Sequence, residues 1–157
     1  MLMGKAFLVV RMKGTINVPH WADTTLDLLH LDKRFRATIV PERDNTKGML
    51  DKIKHYVSWQ EVDTATVKEL LEKRARKEGY RKITADDIAK LGFKNADDLA
   101  KSLAEGSVAL SKLKPLKPWF ALAPPKHGFK RSTKRMYGEG GILGNHKELL
   151  SQVRLMM

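Results

Sequence analysis

Three short stretches near the start of the chain have the hydrophobic patterns of β-strands. Residues 6–12 (AFLVVRM) are apolar and rich in β-branched side chains, as expected for a largely buried strand. Residues 34–40 (RFRATIV) alternate polar and apolar positions and are followed by Pro41, which ends the predicted strand. Residues 58–62 (SWQEV) alternate in the same way. The pattern predicts three strands within residues 1–62.

Two amphipathic segments separate these strands. In the first, Thr24 or Thr25 is predicted to cap a helix that runs to about Leu31. In the second, Asp44 or Asn45 is predicted to cap a helix whose apolar residues recur every three or four positions. The resulting order, β-α-β-α-β, predicts an α+β fold in which helices pack on a small sheet.

Residues 63–111 change to helical spacing and predict a helical insert. The predicted caps are Thr66 with Glu69, Thr84 with Asp87, and Asn95. The first of these helices is expected to end at Gly79. Four cations of the insert stand among acids and are predicted to lie on a solvated helix face: Arg74, Arg76, Arg81 and Lys82.

The end of the chain is interrupted by proline and glycine. Residues 119–123 predict a short strand, and residues 115–144 predict an extended loop, which we call the basic arm. After the arm, Asn145 and Glu148 have the spacing of a capping box and predict a brief helix. Apolar residues alternate in residues 153–157, which predicts a returning strand. Both ends of the arm are thus expected to be held by the fold.

The net charge of +12 is concentrated at the end of the chain. Residues 1–62 hold ten Lys or Arg against seven acids, and residues 63–111 hold ten against nine. Residues 112–157 hold ten against two. These three segments are the predicted core domain, helical insert and arm with terminal elements. Because acids are missing from the last segment, an acidic partner is expected to bind there.

Other features of the sequence exclude several classes of protein. There is no cysteine, so disulfides, thiol catalysis and cysteine-based zinc sites are excluded. No apolar run approaches the roughly 20 residues of a membrane-spanning helix. The apolar N-terminal stretch is closed by Arg11 and Lys13 and predicts a strand, not a signal peptide. We therefore expect a soluble intracellular protein.

The basic arm has the composition of a nucleic-acid-binding segment. Its cations can neutralise phosphates, its aromatic side chains can stack on bases, and its glycines let the backbone approach phosphate oxygens closely. A merely solvated basic loop is the alternative. The candidate contacts in the arm are Lys126, His127, Gly128, Lys130, Arg131, Lys134, Arg135 and Tyr137.

A second group of candidate contacts lies near the first two strands. Arg11, Lys13 and Gly14 precede the first predicted helix, whose amino end would suit a phosphate. Arg34 and Arg36 alternate out of the second strand. These five residues are equally compatible with ordinary turn and surface positions, and the sequence leaves both interpretations open.

No pattern in the sequence predicts catalysis. The GEGGILG run at residues 138–144 lacks the Lys-Ser/Thr of a P-loop, and we predict a tight turn with close approach of either RNA or backbone. The histidines have no metal-ligand spacing, and His30 and His55 are predicted to be core or boundary residues. The acidic pairs at residues 86–87 and 97–98 fall where helices begin, where they complement the helix dipole.

Five blocks of the chain match a known protein family nearly end to end. They are LVVRMKG at residues 8–14, LLHLDKRFRATIVP at 28–41, MLDKIKHYVSWQ at 49–60, ELLEKRARKEG at 69–79 and PPKHGFKRSTKRMYGEGGILGN at 124–145. With these blocks the chain resembles the universal L-thirty family of large-subunit ribosomal proteins, in its longer archaeal form, related to the eukaryotic protein L-seven. The last block is the most specific.

The resemblance implies an antiparallel βαβαβ sheet and binding to large-subunit (23S) ribosomal RNA near the 5S RNA region, beside neighbouring large-subunit proteins. It implies a cytoplasmic location in the ribosome, and no catalysis, cofactor, small-molecule substrate or membrane. By position, Arg11, Lys13 and Gly14 match the family's first-strand basic turn. The residues that match its basic arm are Lys126, Gly128, Lys130, Arg131 and Lys134.

We therefore expect a structural constituent of the large ribosomal subunit that positions RNA by phosphate neutralisation and loop insertion. One alternative is an RNA-modifying or RNA-processing enzyme that uses the same arm to hold its substrate. Such an enzyme would need a carboxylate, histidine or cofactor site, which the sequence does not offer. A second alternative is an architectural DNA-binding protein, which would bind duplex DNA without preference for folded RNA.

Overall fold

Eight strands and six α-helices form the regular structure of residues 5–113 and 116–157, which the computed structural model describes. The strands are β1 (Ala6–Arg11), β2 (Arg36–Pro41), β3 (Val57–Glu61), β4 (Arg76–Lys77), β5 (Arg81–Lys82), β6 (Phe120–Ala121), β7 (Ser132–Met136) and β8 (Gly141–Asn145). The helices are α1 (His20–Leu28), α2 (Asp44–Lys52), α3 (Thr64–Lys73), α4 (Ala85–Lys90), α5 (Ala96–Ala104) and α6 (Leu149–Met156). The first residue of the predicted arm, Pro115, lies outside the described residues, as do residues 1–4 and Lys114.

The central sheet has the strand order β6-β2-β1-β3-β8-β7. β1 runs antiparallel to both neighbours, with Val9 opposite Thr38 of β2 and opposite Trp59 of β3. The predicted α+β fold and β-α-β-α-β order are confirmed. β8, however, lies parallel to β3, and β7 lies parallel to β8. The expectation of an antiparallel sheet therefore holds for β1, β2, β3 and β6, and the complete sheet is mixed.

Side chains of β1 alternate between two hydrophobic cores, one on each face of the sheet. Leu8 and Val10 pack into a core with α3, α5 and α6, whereas Val9 packs against α1 and α2. The first core contains residues from all three charge-defined segments, including Ala6, Leu70 and Val153. The segment boundaries after residues 62 and 111 remain a prediction, and the segments share one core.

Helix α1 begins four residues before the predicted caps. Its N-cap is Pro19, which has a φ of −58° and no capping side chain. Thr24 and Thr25 lie inside the helix, where their hydroxyls donate to the carbonyl oxygens of His20 and Trp21 at 2.9 and 3.0 Å. The predicted cap is therefore wrong, because both threonines bond to the preceding turn.

Three further expectations for this half of the chain are wrong. Helix α2 is preceded by Arg43 as N-cap, and Asp44 lies in its first turn, where its charge favours the helix dipole. His30 is exposed with a φ of 61°, because the chain turns sharply after α1 to bury Leu31. His55 is exposed as well, so neither histidine belongs to a core.

The insert contains a hairpin that the sequence pattern did not predict. Helix α3 is capped by Asp63, whose carboxylate accepts from the Thr66 N–H at 2.8 Å, so the predicted box at Thr66 is wrong. The helix ends at Lys73, six residues before the predicted Gly79. Gly79 instead lies in the turn between β4 and β5 with a φ of 78°, which glycine adopts without strain.

The other two predicted caps of the insert are confirmed. At α4, the Thr84 hydroxyl accepts from the Asp87 N–H at 3.4 Å, and the Asp87 carboxylate accepts from the Thr84 N–H at 2.9 Å. At α5, the Asn95 side chain accepts from the Asp98 N–H at 2.9 Å. Lys77 of β4 also forms an ion pair with Asp87 at 3.0 Å. Asp87 thus completes the capping box of α4 and holds the hairpin against this helix.

The predicted cap and strand at the end of the chain are wrong. Asn145 is the last residue of β8, and residues 149–156 form α6. Gln60 of β3 satisfies the amino end of this helix: its Oε1 accepts from the Leu150 N–H at 3.1 Å, and its Nε2 donates to the Lys147 carbonyl at 2.8 Å. The short predicted strand at 119–123 is confirmed as β6.

Replacing Gln60 by Ala should lower the free energy of unfolding by about 1 kcal/mol, because α6 loses its cap. Chemical denaturation measures the change. Gln60→Glu keeps the acceptor for Leu150 and should recover part of the loss. Equal stability of Gln60→Ala and the wild type would contradict the assigned cap.

Stability should also depend on the ionisation of Asp87. Hydrogen bonds from Thr84, with help from Lys77, lower the pKa of the Asp87 carboxyl from 3.8 to about 2. A lowered pKa in the folded state stabilises the protein above the ordinary pKa, and this contribution is lost as the pH falls toward the folded pKa.

The stability difference between wild type and Asp87→Asn should therefore be constant near neutral pH and shrink between about pH 4 and pH 2. Denaturant unfolding across this range measures it. Asp86→Asn, an exposed neighbour in the same helical turn, is the control. A difference that does not change with pH would contradict the assigned pairing.

Candidate nucleic-acid interface

Loops and strands from separate parts of the chain meet at one end of the central sheet. The carboxyl end of β1 lies beside the amino ends of β2 and β3, because β1 is antiparallel to both. A concavity of about 480 Å³ opens there. Its lining includes Lys13 and Gly14 after β1, Arg34 before β2, and Lys134 of β7. We call these four residues the sheet-end surface.

The sheet-end surface joins candidates that are far apart in sequence. Lys13 and Gly14 belong to the predicted first-strand group, and Lys134 belongs to the basic arm. Arg34 is exposed, and its Nε donates to the Met12 carbonyl at 3.0 Å, which fixes the side chain beside the turn after β1. Its two terminal nitrogens have no ion-pair partner among the described residues, and can donate to phosphate oxygens.

Arg11 has a different place from the other candidates, because it is fully buried. Its guanidinium donates to the carbonyl oxygens of Leu31 at 2.7 Å, Lys13 at 3.0 Å and Gly14 at 3.1 Å. Burial lowers the pKa of Arg11 from its ordinary value, and the charges of nearby aspartates partly oppose this shift. Arg11 has no surface to offer a phosphate. It fixes the backbone that carries Lys13 and Gly14.

Arg36 is also engaged within the protein. It forms an ion pair with Asp32, and its guanidinium lies 3.8 Å from the centre of the Trp119 ring. Only 16% of its side chain is exposed. Arg36 is therefore held in one orientation at the β2–β6 edge, where part of its charge is already paired.

The first half of the basic arm is an ordered loop held on two sides. The backbone N–H groups of Ala123 and Lys126 donate to the carbonyls of Met156 and Leu155 of α6, at 3.0 and 3.3 Å. Phe129 stacks on Phe35 with 6.0 Å between ring centres. The exposed candidates in and beside this loop are Lys126, His127, Gly128 and Lys130. The loop thus presents these residues to solvent from fixed ends.

The second half of the arm is part of the sheet, which corrects the expectation of an extended loop throughout. Lys134 and Arg135 are exposed on β7. Ile142 and Leu143 of β8 are buried in the core. A side chain at Gly141 would collide with the Arg135 carbonyl, so the predicted close backbone approach is confirmed. Glycine is needed there because β7 and β8 crowd one another.

Tyr137 lies between a cation and a buried histidine. Its ring centre is 4.8 Å from the Arg131 guanidinium and 4.9 Å from the His146 ring. Arg131 also pairs with Glu148 at 3.6 Å. Burial is the main cause that lowers the pKa of His146 from its ordinary value, which favours the neutral imidazole. No pattern in the sequence predicts that His146 contacts Tyr137.

The two acidic pairs of the insert lie where helices begin. The acidic pairs Asp86–Asp87 and Asp97–Asp98 occupy the first turns of α4 and α5, as predicted.

Within residues 5–113 and 116–157, no three His, Asp or Glu side chains are grouped so that they could hold a metal ion. No helix in the same part of the chain is long and apolar enough to cross a membrane.

The chain is similar to several ribosomal proteins. A family model described as Ribosomal protein L30p/L7e matches residues 7–57. The large ribosomal subunit protein uL30 of Nitrosopumilus maritimus is 57% identical over 155 residues, which cover 99% of this chain and 100% of the relative. The uL30 protein of Staphylothermus marinus is 39% identical over 157 residues, with 96% and 97% coverage.

Replacing Arg11 by Ala should lower the free energy of unfolding by about 3 kcal/mol, because one buried and two partly buried carbonyl oxygens lose a charged donor. Chemical denaturation measures the loss. Arg34→Ala, at the same end of the sheet but exposed, is the matched control and should cost about 1 kcal/mol or less. Equal losses for the two variants would contradict the structural role of Arg11.

Proposed function

The chain belongs to the ribosomal protein L30p/L7e family, and on this basis we propose that it is a structural protein of the large ribosomal subunit that binds ribosomal RNA. The names of its relatives, large ribosomal subunit protein uL30, support this proposal. The observation that carries the RNA-binding part is the sheet-end surface, where Lys13, Arg34 and Lys134 converge without acidic side chains in the lining.

Binding at this surface is proposed to work by phosphate neutralisation. Each Lys or Arg that meets a phosphate releases condensed counterions, so affinity falls as the salt concentration rises. A rigid fold holds the cations at fixed separations, which favours RNA whose phosphates have matching positions. Side chains cannot read the deep major groove of A-form RNA, so we expect recognition of shape and unpaired bases.

The candidates divide into three groups within this proposal. The exposed and half-buried contacts are Lys13, Gly14, Arg34, Lys126, His127, Gly128, Lys130, Arg131, Lys134 and Arg135. Arg36 and Tyr137 are half-buried and already engaged with protein groups, so we assign them smaller contact areas. Arg11 is left out of the contacts because it is buried, and it positions Lys13 and Gly14.

The finer parts of the assignment rest on the family resemblance. We propose a position on 23S RNA near the 5S RNA, with neighbouring large-subunit proteins as further partners, in cytoplasmic ribosomes. We also propose that the protein has no catalytic activity and uses no cofactor. The names of the relatives support a place in the large ribosomal subunit, and the position near the 5S RNA follows from the resemblance alone.

Replacing Lys126, Lys130, Arg131 and Lys134 together by Ala should weaken binding to large-subunit RNA. The slope of log affinity against log salt should fall in magnitude by about three, since four phosphate contacts are removed. Filter binding at several salt concentrations measures this slope.

The control for this variant removes the same charge elsewhere. Lys52, Lys54, Lys90 and Lys101 are exposed on or beside α2, α4 and α5. Replacing these four by Ala should leave the slope nearly unchanged. If both variants lose the same affinity, binding would depend on total charge alone and the proposed contact surface would be wrong.

A further inference from the structure

The β4–β5 hairpin carries an aromatic side chain at its tip. β4 and β5 are joined by a three-residue turn, Glu78–Tyr80, in which Gly79 also has a positive φ. Tyr80 has a φ of 58° and is 52% exposed. Positive φ is unfavourable for a bulky residue, and exposure leaves an aromatic ring in water. The fold therefore holds this ring outward at a cost in stability.

The base of the hairpin is fixed to the rest of the protein. Lys77 forms the ion pair with Asp87 at the start of α4. On the other side, the Lys117 N–H donates to the Arg76 carbonyl at 2.9 Å. Attachments on both sides limit the motion of the tip, so a partner would lose little conformational freedom on binding it.

The Tyr80 ring lies beside a group of aromatic and cationic side chains. Its centre lies 6.2 Å from the Trp119 ring and 5.6 Å from the Arg76 guanidinium. Trp119 in turn lies 3.8 Å from the Arg36 guanidinium and 5.4 Å from the Lys117 ammonium. Two neighbouring rings flanked by cations form a platform of the kind on which nucleic acid bases stack.

Charge at the tip favours an anionic partner. Residues 76–82 contain four Lys or Arg and one acid, Glu78. Lys77 is neutralised by Asp87, but Arg76, Arg81 and Lys82 have no ion-pair partner among the described residues. Arg81 and Lys82 are also exposed. An exposed aromatic ring beside unpaired cations matches the two chemical parts of a nucleotide, its base and its phosphate.

We propose that the hairpin tip is a second RNA contact, in which Tyr80 stacks on an unpaired base while Arg81 and Lys82 bind the adjacent phosphates. This inference rests on the proposed function, since it takes the partner to be ribosomal RNA. None of the hairpin residues lines the sheet-end concavity, so the two contacts are separate. Two separate contacts on one RNA would fix the orientation of the protein as well as its affinity.

The experiment measures the affinity of the full chain for deproteinised large-subunit RNA from the same organism, across several salt concentrations. Tyr80→Asn removes the ring, and Asn tolerates positive φ, so the turn is kept. Loss of one base stack should weaken binding roughly tenfold without changing the salt slope. Tyr80→Phe keeps the ring and should bind within about twofold of wild type.

The charge part of the proposal has its own variant. Arg81→Ala with Lys82→Ala should lower the magnitude of the salt slope by about 1.5, because two phosphate contacts are lost. Lys90→Ala with Lys101→Ala removes the same charge from exposed positions on α4 and α5 and should leave the slope unchanged. Circular dichroism and thermal unfolding establish that each variant is folded.

Other results would overturn the inference. If Tyr80→Asn binds like wild type while the four-residue arm variant is weakened, the hairpin contact is wrong and the proposed function stands. If neither variant is weakened, both are wrong. If Tyr80→Asn binds RNA normally but fails to join particles that contain ribosomal proteins, the tip is a protein contact. If Tyr80→Phe is as weak as Tyr80→Asn, the hydroxyl and not stacking carries the contact.

Discussion

The end of the sheet that carries the candidate interface depends on one buried guanidinium. Arg11 bonds to the carbonyls of Lys13, Gly14 and Leu31, and so joins the turn after β1 to the segment that follows α1. A charged group in a core is tolerated only when its donors are satisfied. Each of its three nitrogens donates to one of these carbonyls, and in return their backbone segments are fixed. A buried basic residue thereby positions the proposed RNA-binding surface without being part of it.

The basic arm shows how one segment can be both core and surface. β8 joins the sheet beside β3 and buries Ile142 and Leu143, while β7 at the edge exposes Lys134 and Arg135. Acids are nearly absent from this part of the chain. Arg131 pairs with Glu148, whereas Lys134 and Arg135 have no ion-pair partner among the described residues. A pre-ordered basic edge loses less conformational entropy on binding than a free tail would.

The insert, whose charge is nearly balanced, likewise has some charged residues that hold the fold together and others that are exposed. Lys77 and Asp87 neutralise one another and attach the hairpin to α4. Arg81 and Lys82 of the hairpin are exposed beside Tyr80, whereas Arg76 is half-buried and donates to backbone carbonyls. Net charge over a segment therefore says little about its surface, because ion pairs remove some charges and leave others available.

Contacts within a few residues could be predicted from the sequence. The caps at Thr84 and Asn95 were correct because each requires only neighbouring backbone, and the strands of the β-α-β-α-β unit were correct because their patterns match a half-buried sheet. Predicted caps were wrong where a different side chain bonds to the start of the helix. Asp63, not Thr66, is the N-cap of α3. At α6, the hydrogen bonds expected from Asn145 come from Gln60, which is distant in sequence.

Composition alone predicts a candidate interface with many cations and few acids, and it supplies the glycines that β7 and β8 require. Which of these cations meet depends on the fold. Lys13, Arg34 and Lys134 converge because β1, β2 and β7 belong to one sheet. The sequence does not distinguish the buried Arg11 from these solvent-accessible cations, because the exposure of an arginine at the end of a strand depends on which loops fold over it. Charge is a local property of the chain, whereas its placement follows from long-range packing.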